Sequence, residues 1–191
     1  MKHFTDALFE DIEQETEINL EDLQKELDKF DYAFIDGDGN ELSNEDAMKA
    51  VVQSPEQLAE LGKGVCTDYV EYSKTWLEDK GIKYFTYDVS FTDEDGDEPS
   101  HTFIVAEIDD KFIWVENAWF SEKGNHEYNS LEDLFVDIAT KHCCWDDNDY
   151  LESCVIRQFD KSLVGLSQQE IYDYMHTLPT VWKPEENENK D

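Results

Sequence analysis

Hydrophobic positions recur with a helical period in the middle of the chain, directly after Gly64. Their spacing of three and four residues is that of one helix face, so we expect about four helical turns ending at Gly81. The residues that form this face are Cys66, Tyr69, Val70, Ser73, Trp76 and Leu77. Cys66 would therefore open the helix on its core-facing side.

The pattern then changes to that of β-strands. Residues 82–91 are rich in aromatic and β-branched side chains, which favour a strand. Residues 102–108 and 111–117 show the same character and are separated by Asp109-Asp110. We therefore predict a hairpin with a two-residue turn.

The register of this hairpin decides which polar residue lies near His101. A two-residue turn pairs Ile108 with Lys111, and strand alternation then places His101 and Glu116 on one face as diagonal neighbours. Asn117 falls on the other face. We therefore prefer Glu116 as the residue that orients the imidazole, with Asn117 as the alternative if a bulge shifts the register.

Shorter patterns predict peripheral elements on both sides of this region. Most carry a side chain suited to capping a helix N-terminus. The predicted elements are a helix over 20–30 capped by Asn19, short helices capped by Ser43 and Ser54, a helix from Ser130 to Lys141, a strand ending near Val155-Ile156, and a helix from Ser167 to Met175. We expect the helices before Gly64 to pack over the back of the Cys66 helix.

The order of Cys66, His101 and Glu116 supplies a thiol, a base and a carboxylate, which are the parts of a thiol acyl-transfer site. A cysteine in the first turn of a helix lies near unpaired N–H groups, so its thiolate is stabilised and its pKa is lowered. We expect Gly64 to let the backbone approach a substrate carbonyl.

Three short motifs carry a resemblance to a known family. Gly64-Val65-Cys66-Thr67-Asp68-Tyr69 opens the helix, Ser100-His101-Thr102-Phe103 lies on a strand, and Trp114-Val115-Glu116 precedes Trp119. Together they resemble the transglutaminase-like branch of the papain-like cysteine proteases. The family's acid is usually Asp, whereas the matching residue here is Glu116. Neither Gln53 nor Gln57 aligns with the family's second oxyanion donor.

The resemblance implies an α+β, papain-like fold in which a catalytic helix packs on an antiparallel sheet with peripheral helices. It implies a cysteine-dependent amide hydrolase or acyl transferase, whether protease, deamidase or transglutaminase. The triad would be Cys66, His101 and Glu116, and Trp119 would form a wall of the site. We expect a protein or peptide substrate.

We divide the chain into four segments, although its 191 residues are simplest as one domain. These are an N-terminal helical segment (1–62), a transglutaminase-like core (63–160), a C-terminal helical segment (161–182) and a disordered tail (183–191). Residues 1–15 lack a secretory signal, and the four cysteines lack a disulfide spacing. These features predict a cytoplasmic protein. The oligomeric state has no signal in the sequence.

The formal net charge of −33 limits the partners. It would repel nucleic acids and anionic membranes, so we expect neither as a partner, whereas basic peptides or proteins would be attracted. The same charge supports an alternative function. In that alternative, the protein is an inactive acidic interaction protein that mimics a nucleic acid and binds a basic partner.

Metal-like patterns are present but incomplete. Asp36 to Asn40 begins like a calcium loop, but the sixth position is Glu41 and the twelfth is Ala47, so it fails as an EF-hand. His142, Cys143, Cys144 and Cys154 are zinc-type ligands without the usual spacing. We therefore predict no metal and no cofactor.

Overall fold

The structure is a computed structural model that describes residues 19–144 and 150–184. These residues form five α-helices, three short 3₁₀ helices and eight β-strands. The α-helices are α1 (Leu20–Leu27), α2 (Pro55–Leu61), α3 (Cys66–Asp79), α4 (Leu131–Cys143) and α5 (Gln168–Met175). The strands are β1 (Asp31–Tyr32), β2 (Lys63–Gly64), β3 (Lys83–Ser90), β4 (Ser100–Ile108), β5 (Lys111–Glu116), β6 (Gly124–Tyr128), β7 (Val155–Phe159) and β8 (Thr180–Trp182).

Six of the strands form one antiparallel sheet in the order β6-β5-β4-β3-β7-β8. Helix α3 packs on one face against β3 and β4, with apolar residues of α1, α2 and α5 around it. Helix α4 packs on the other face against β3, β5 and β6. The predicted α+β class, with the Cys66 helix on an antiparallel sheet, is confirmed.

The β4–β5 hairpin has the predicted register. Ile108 pairs with Lys111, and Val105 pairs with Trp114. Asp109 and Asp110 both have positive φ, at 52° and 62°. A type I′ turn requires positive φ at both central residues, and Asp tolerates this conformation better than most residues. The two-residue turn therefore forms without glycine.

Helix α3 is buried on more sides than its apolar stripe predicts. Glu71 and Lys74 lie away from that stripe, yet they are buried and form an ion pair at 3.0 Å. Glu71 also accepts hydrogen bonds from the Leu163 backbone N–H and the Ser162 hydroxyl, each at 3.0 Å. The segment before α5 thus covers the side of α3 that the sequence pattern predicts to be exposed to solvent.

Several element boundaries differ from the sequence predictions. Helix α1 keeps its Asn19 cap but ends at Leu27, before the predicted limit of residue 30. Ser43 precedes a 3₁₀ helix and makes no side-chain cap there. Strand β7 begins at Val155, where we predicted that a strand would end.

The caps at Ser54 and Ser130 form as predicted, and so does the one at Ser167. The C-terminal segment contains β8 in addition to its helix. The division of the chain into four segments stays a prediction. Residues 185–191, which belong to the predicted disordered tail, lie outside the described residues. None of the described helices is both long and apolar enough to span a bilayer.

Candidate active site

Cys66 is the first residue of α3, and buried hydrogen bonds fix the backbone around it. The Asp68 carboxylate accepts the backbone N–H of Val65 at 2.8 Å and that of Gln53 at 2.7 Å. Burial raises the pKa of Asp68 to about 6. A buried acceptor with two N–H donors positions the first turn of a helix firmly, because losing it would leave both donors unpaired.

Gly64 is required by packing and not by a substrate. A Cβ atom at this position would lie 2.8 Å from the Asp68 Cβ and 2.8 Å from the Leu58 Cδ1. Both distances are shorter than ordinary contacts, so a larger residue would displace α2 or the first turn of α3. Our expectation that Gly64 admits a substrate carbonyl is therefore wrong, since Gly64 is buried.

The N-terminal segment reaches the site through a short parallel pairing. Strand β1 pairs with β2, so that Tyr32 lies opposite Gly64. The backbone N–H of Ala33 donates to the Gly64 carbonyl at 3.0 Å. This pairing holds the Tyr32 side chain beside the start of α3.

His101 lies near the start of β4, and its imidazole contacts Glu116 on β5. The distance between His101 Nε2 and Glu116 Oε2 is 2.7 Å, and these residues are 8% and 2% exposed. Glu116 also accepts the indole N–H of Trp114 at 3.1 Å and the backbone N–H of Trp119 at 2.8 Å. The longer side chain of Glu thus spans the diagonal between the strands.

Asn117 points away from this contact. Its side-chain amide donates to the Leu27 carbonyl at 2.8 Å and accepts from Gln24 at 2.9 Å. Both partners belong to α1. The structure therefore places Glu116 beside the imidazole and uses Asn117 to attach α1 to the end of β5.

Cys66, His101 and Glu116 stabilise one another's charged forms. Burial alone would raise the pKa of the Cys66 thiol, but hydrogen bonding and attraction to His101 lower it overall. Burial likewise opposes the imidazolium, yet Glu116 and Cys66 raise the pKa of His101 well above its usual value. Because Nε2 contacts Glu116, Nδ1 is the ring nitrogen left for the thiol. The arrangement favours a thiolate–imidazolium pair.

Two larger cavities lie beside this pair. One of about 240 Å³ is lined by Cys66, and by Asp88, Thr102 and residues of α5. The other, of about 290 Å³, is lined by His101, Trp119 and His142. We call them the Cys66 cavity and the His101 cavity. Tyr32, Pro99 and Ser100 line both, so the two cavities adjoin each other.

Trp119 lies where a site wall was predicted. Its indole meets the His101 ring edge-on, with the ring centroids 5.9 Å apart. Its backbone N–H donates a hydrogen bond to the Glu116 carboxylate, so Trp119 and Glu116 are held next to each other. The structure thus gathers Cys66, His101, Glu116 and Trp119 at one end of the sheet, while their catalytic roles stay predictions.

Sequence reasoning missed Tyr32 and His142. Tyr32 lies in a two-residue strand without a periodic pattern, and His142 was considered only as a zinc ligand. The described residues contain no cluster of three or more His, Cys, Asp or Glu side chains placed to hold a metal ion.

The unmatched glutamines are engaged elsewhere. The Gln53 amide donates to the Lys63 carbonyl at 2.8 Å, and Gln57 completes the cap of α2. Neither Gln53 nor Gln57 lines the Cys66 cavity or the His101 cavity described above, so neither is placed to contact an oxyanion at Cys66. Tyr32 and Ser100 are the described polar residues that line both cavities, and of these Tyr32 interacts electrostatically with Cys66: desolvation and the charge of Cys66 raise the pKa of the Tyr32 phenol.

Comparison with known proteins agrees with the geometry. A family model described as a transglutaminase-like domain matches residues 2–118, which include Cys66, His101 and Glu116. No curated protein matches the sequence. The matched region exceeds half of the chain and contains α3, β3, β4 and β5, the elements that build the site. The protein therefore belongs to the transglutaminase-like domain family.

Proposed function

We propose that the protein is a cysteine-dependent amide hydrolase or acyl transferase that acts on proteins or peptides. The observation that carries this proposal is the buried contact of His101 with Glu116 beside Cys66. Burying an imidazole and a carboxylate is unfavourable unless they are paired, and an interaction protein has no use for an activated thiol next to them.

In the proposed reaction, the Cys66 thiolate attacks an amide carbonyl carbon and forms a tetrahedral intermediate. His101 donates its proton to the departing nitrogen as the C–N bond breaks, which leaves a thioester and a neutral imidazole. Water or an amine then attacks the thioester, and His101 takes its proton. Release of the product restores the thiolate–imidazolium pair.

We assign two groups to the stabilisation of the intermediate. The first is the backbone N–H of Cys66 at the start of α3, where helix N–H groups lack intrahelical partners. The second is the Tyr32 hydroxyl, which we assign as the side-chain donor because Tyr32 borders both cavities. Glu116 keeps the imidazole oriented and stabilises its charged form.

The net charge supports a basic substrate, because a surface at −33 attracts cationic peptides. It opposes binding to nucleic acids and anionic membranes. The absence of a disulfide spacing among the cysteines supports a cytoplasmic location.

The test is to incubate wild type and the Cys66→Ala variant with a cell lysate and to analyse the proteome by mass spectrometry. New termini indicate a protease, Gln-to-Glu conversion a deamidase, and Gln–Lys cross-links a transglutaminase. Cys144→Ala is the matched control, because Cys66 and Cys144 are both partly exposed. We expect products with wild type and Cys144→Ala only.

The alternative function would give a different result. If no product depends on Cys66 while the protein co-purifies with a basic partner, the enzyme proposal is wrong. The protein would then be an acidic interaction protein that kept the family fold.

A further inference from the structure

The Cys66 cavity contains a buried carboxylate that the proposed reaction does not use. Asp88 lies on β3 directly opposite Thr102 of β4, and both residues line the cavity together with Cys66. Directly paired residues of neighbouring strands project from the same face of a sheet. Asp88 therefore faces the cavity that contains the nucleophile.

This carboxylate is not engaged by the rest of the protein. No described residue donates a hydrogen bond to it, and the nearest described cation is Arg157, whose Nη1 lies 3.9 Å from Asp88 Oδ2. That distance is too long for a hydrogen bond. Arg157 Nη1 donates instead to the Ser90 hydroxyl at 2.8 Å. A structural ion pair therefore does not account for Asp88.

The carboxylate of Asp88 remains accessible from the cavity. The residue is 2% exposed, and neither carboxylate oxygen is among the described side-chain atoms that are both unpaired and completely enclosed. Because Asp88 lines the Cys66 cavity, a group bound there can contact these oxygens. Burial raises the pKa of Asp88 to about 6 although Arg157 attracts its charge, so a further cation would stabilise the ionised form.

The rest of the cavity suits a cation carried on an alkyl chain. Lysine and arginine bury their alkyl stems against apolar surface and place the charge on a polar partner. None of the described lining residues is a lysine or an arginine, and a second lining carboxylate, Glu98, is already bound by Tyr172 and His176. Apolar side chains of the lining are Phe34, Met48, Ile171 and Met175.

The acyl part of a substrate occupies this cavity. Its carbonyl carbon bonds to Cys66 Sγ, and Cys66 lines the Cys66 cavity but not the His101 cavity. Another cavity that Cys66 lines has a volume of about 10 Å³, enough for one water molecule and not for a side chain. This step rests on the proposed function.

We propose that Asp88 binds the cationic side chain of the acyl residue, so that the enzyme selects a lysine or an arginine at the bond it attacks. The alkyl stem would lie against the apolar lining, and the cation would donate charge-assisted hydrogen bonds to the carboxylate. The net charge of −33 attracts any cationic peptide, whereas Asp88 specifies which of its residues lies at Cys66.

The test compares Nα-acetyl-lysine methyl ester with Nα-acetyl-norleucine methyl ester, which lacks only the ammonium group. Both release methanol, so the ratio of their kcat/KM values reports on side-chain recognition. Wild type should prefer the lysine ester. In Asp88→Asn its kcat/KM should fall about 10- to 100-fold, the range for one lost hydrogen bond to a charged group. The norleucine ester should change less than about threefold.

Glu98→Gln is the matched control, because it removes a carboxylate from the same cavity and changes the net charge equally. Its lysine-to-norleucine ratio should stay within about threefold of wild type. An equal fall of the ratio in both variants would assign the selection to the charge of the cavity and overturn the role of Asp88. Equal losses on both esters in Asp88→Asn would show a structural role instead.

A substrate also carries a cation if its α-amino group is free. Norleucine methyl ester without the acetyl group tests this source. If Asp88→Asn lowers kcat/KM for this ester and leaves the acetyl-lysine ester unchanged, Asp88 binds an α-ammonium group and the side-chain assignment is wrong.

A binding measurement separates this inference from the proposed function. By calorimetry, Cys66→Ala protein should bind Nα-acetyl-lysine N-methylamide about 10- to 100-fold more tightly than the norleucine analogue, and adding Asp88→Asn should remove the preference. Absence of binding or of the preference in Cys66→Ala rejects the inference, whatever the turnover. If the preference is present but wild type turns over neither ester, the hydrolase proposal fails and the cation site at Asp88 stands.

Discussion

At the scale of single residues, the Glu116 carboxylate is held by N–H groups from three directions. They come from the His101 ring at 2.7 Å, the Trp114 indole at 3.1 Å and the Trp119 backbone at 2.8 Å. A carboxylate with several donors keeps its charge even when buried, and the pKa of Glu116 is lowered despite desolvation. The acid is therefore available to stabilise an imidazolium.

Glu116→Gln should reduce turnover about ten-thousand-fold, because a neutral amide cannot stabilise the imidazolium. Asn117→Ala should affect stability instead, since Asn117 bonds to Leu27 and Gln24 of α1. Turnover assays and denaturant unfolding measure the two effects separately. A larger loss of turnover in Asn117→Ala would show that Asn117, and not Glu116, orients the imidazole.

The lowered thiol pKa can be measured by alkylation. Iodoacetamide should label Cys66 at pH 6 to 7 faster than an ordinary thiol with a pKa of about 8.5, because its thiolate persists as the pH falls. His101→Ala should remove this advantage and move labelling to higher pH. Buried Cys154 is the internal control. Preferential labelling of Cys154, with Cys66 unreactive in the folded protein, would rule out the nucleophile.

Tyr32→Phe tests the assigned oxyanion donor. Loss of one such donor typically lowers kcat by about 100- to 1000-fold, and we expect a decrease of this size. The phenyl ring keeps the edge contact with Phe34, whose ring centroid lies 6.0 Å away, so folding should be unaffected. Unchanged kcat would show that Tyr32 only borders the cavities.

At the scale of elements, the start of α3 depends on one buried side chain. Asp68 joins this turn to Gln53 in the loop before α2, so the start of α3 and that loop are fixed together. The site therefore relies on contacts that lie behind Cys66 and not in the cavities themselves.

Asp68→Ala should lower the free energy of unfolding by about 1–3 kcal/mol, since two buried N–H groups lose their acceptor. Glu56→Ala is the matched control, because Glu56 lies in the first turn of α2 but is exposed. Denaturant unfolding of both variants measures the difference. Equal small effects would mean that the first turn of α3 holds without Asp68.

The elements also show what the sequence could reveal. The helical stripe of α3 and the alternation along β4 and β5 are local patterns, so the helix, the hairpin and the His101–Glu116 pairing were predictable. Tyr32 and His142 were not, because each reaches the site through contacts between distant segments. The buried Glu71 was missed for the same reason, since Leu163 and Ser162 lie 92 and 91 residues away.

At the scale of the whole molecule, the charge of −33 surrounds a site whose own charges are paired. Long-range attraction should therefore affect the rate of substrate association more than the rate of the chemical step. The steering operates over roughly the Debye length, which is about 10 Å at 0.1 M salt.

For a lysine-rich peptide, kcat/KM should fall as sodium chloride rises, whereas kcat should change little. A glutamate-rich peptide with the same scissile residue should show the opposite trend in kcat/KM. Stopped-flow or steady-state assays over a salt series measure both. The same salt dependence for both peptides would indicate that the surface charge does not select the substrate.

The two-residue turn at Asp109-Asp110 sets which of two adjacent residues at the end of β5 faces His101. Glu116 and Asn117 are adjacent, and strand alternation allows only one of them to face His101. A turn longer by one residue, with the pairing shifted accordingly, would present a carboxamide in place of a carboxylate. The backbone geometry of a loop at the far end of β5 therefore determines which side chain faces His101. Exchanging that loop is a way to replace Glu116 by Asn117 beside the imidazole without substituting either residue.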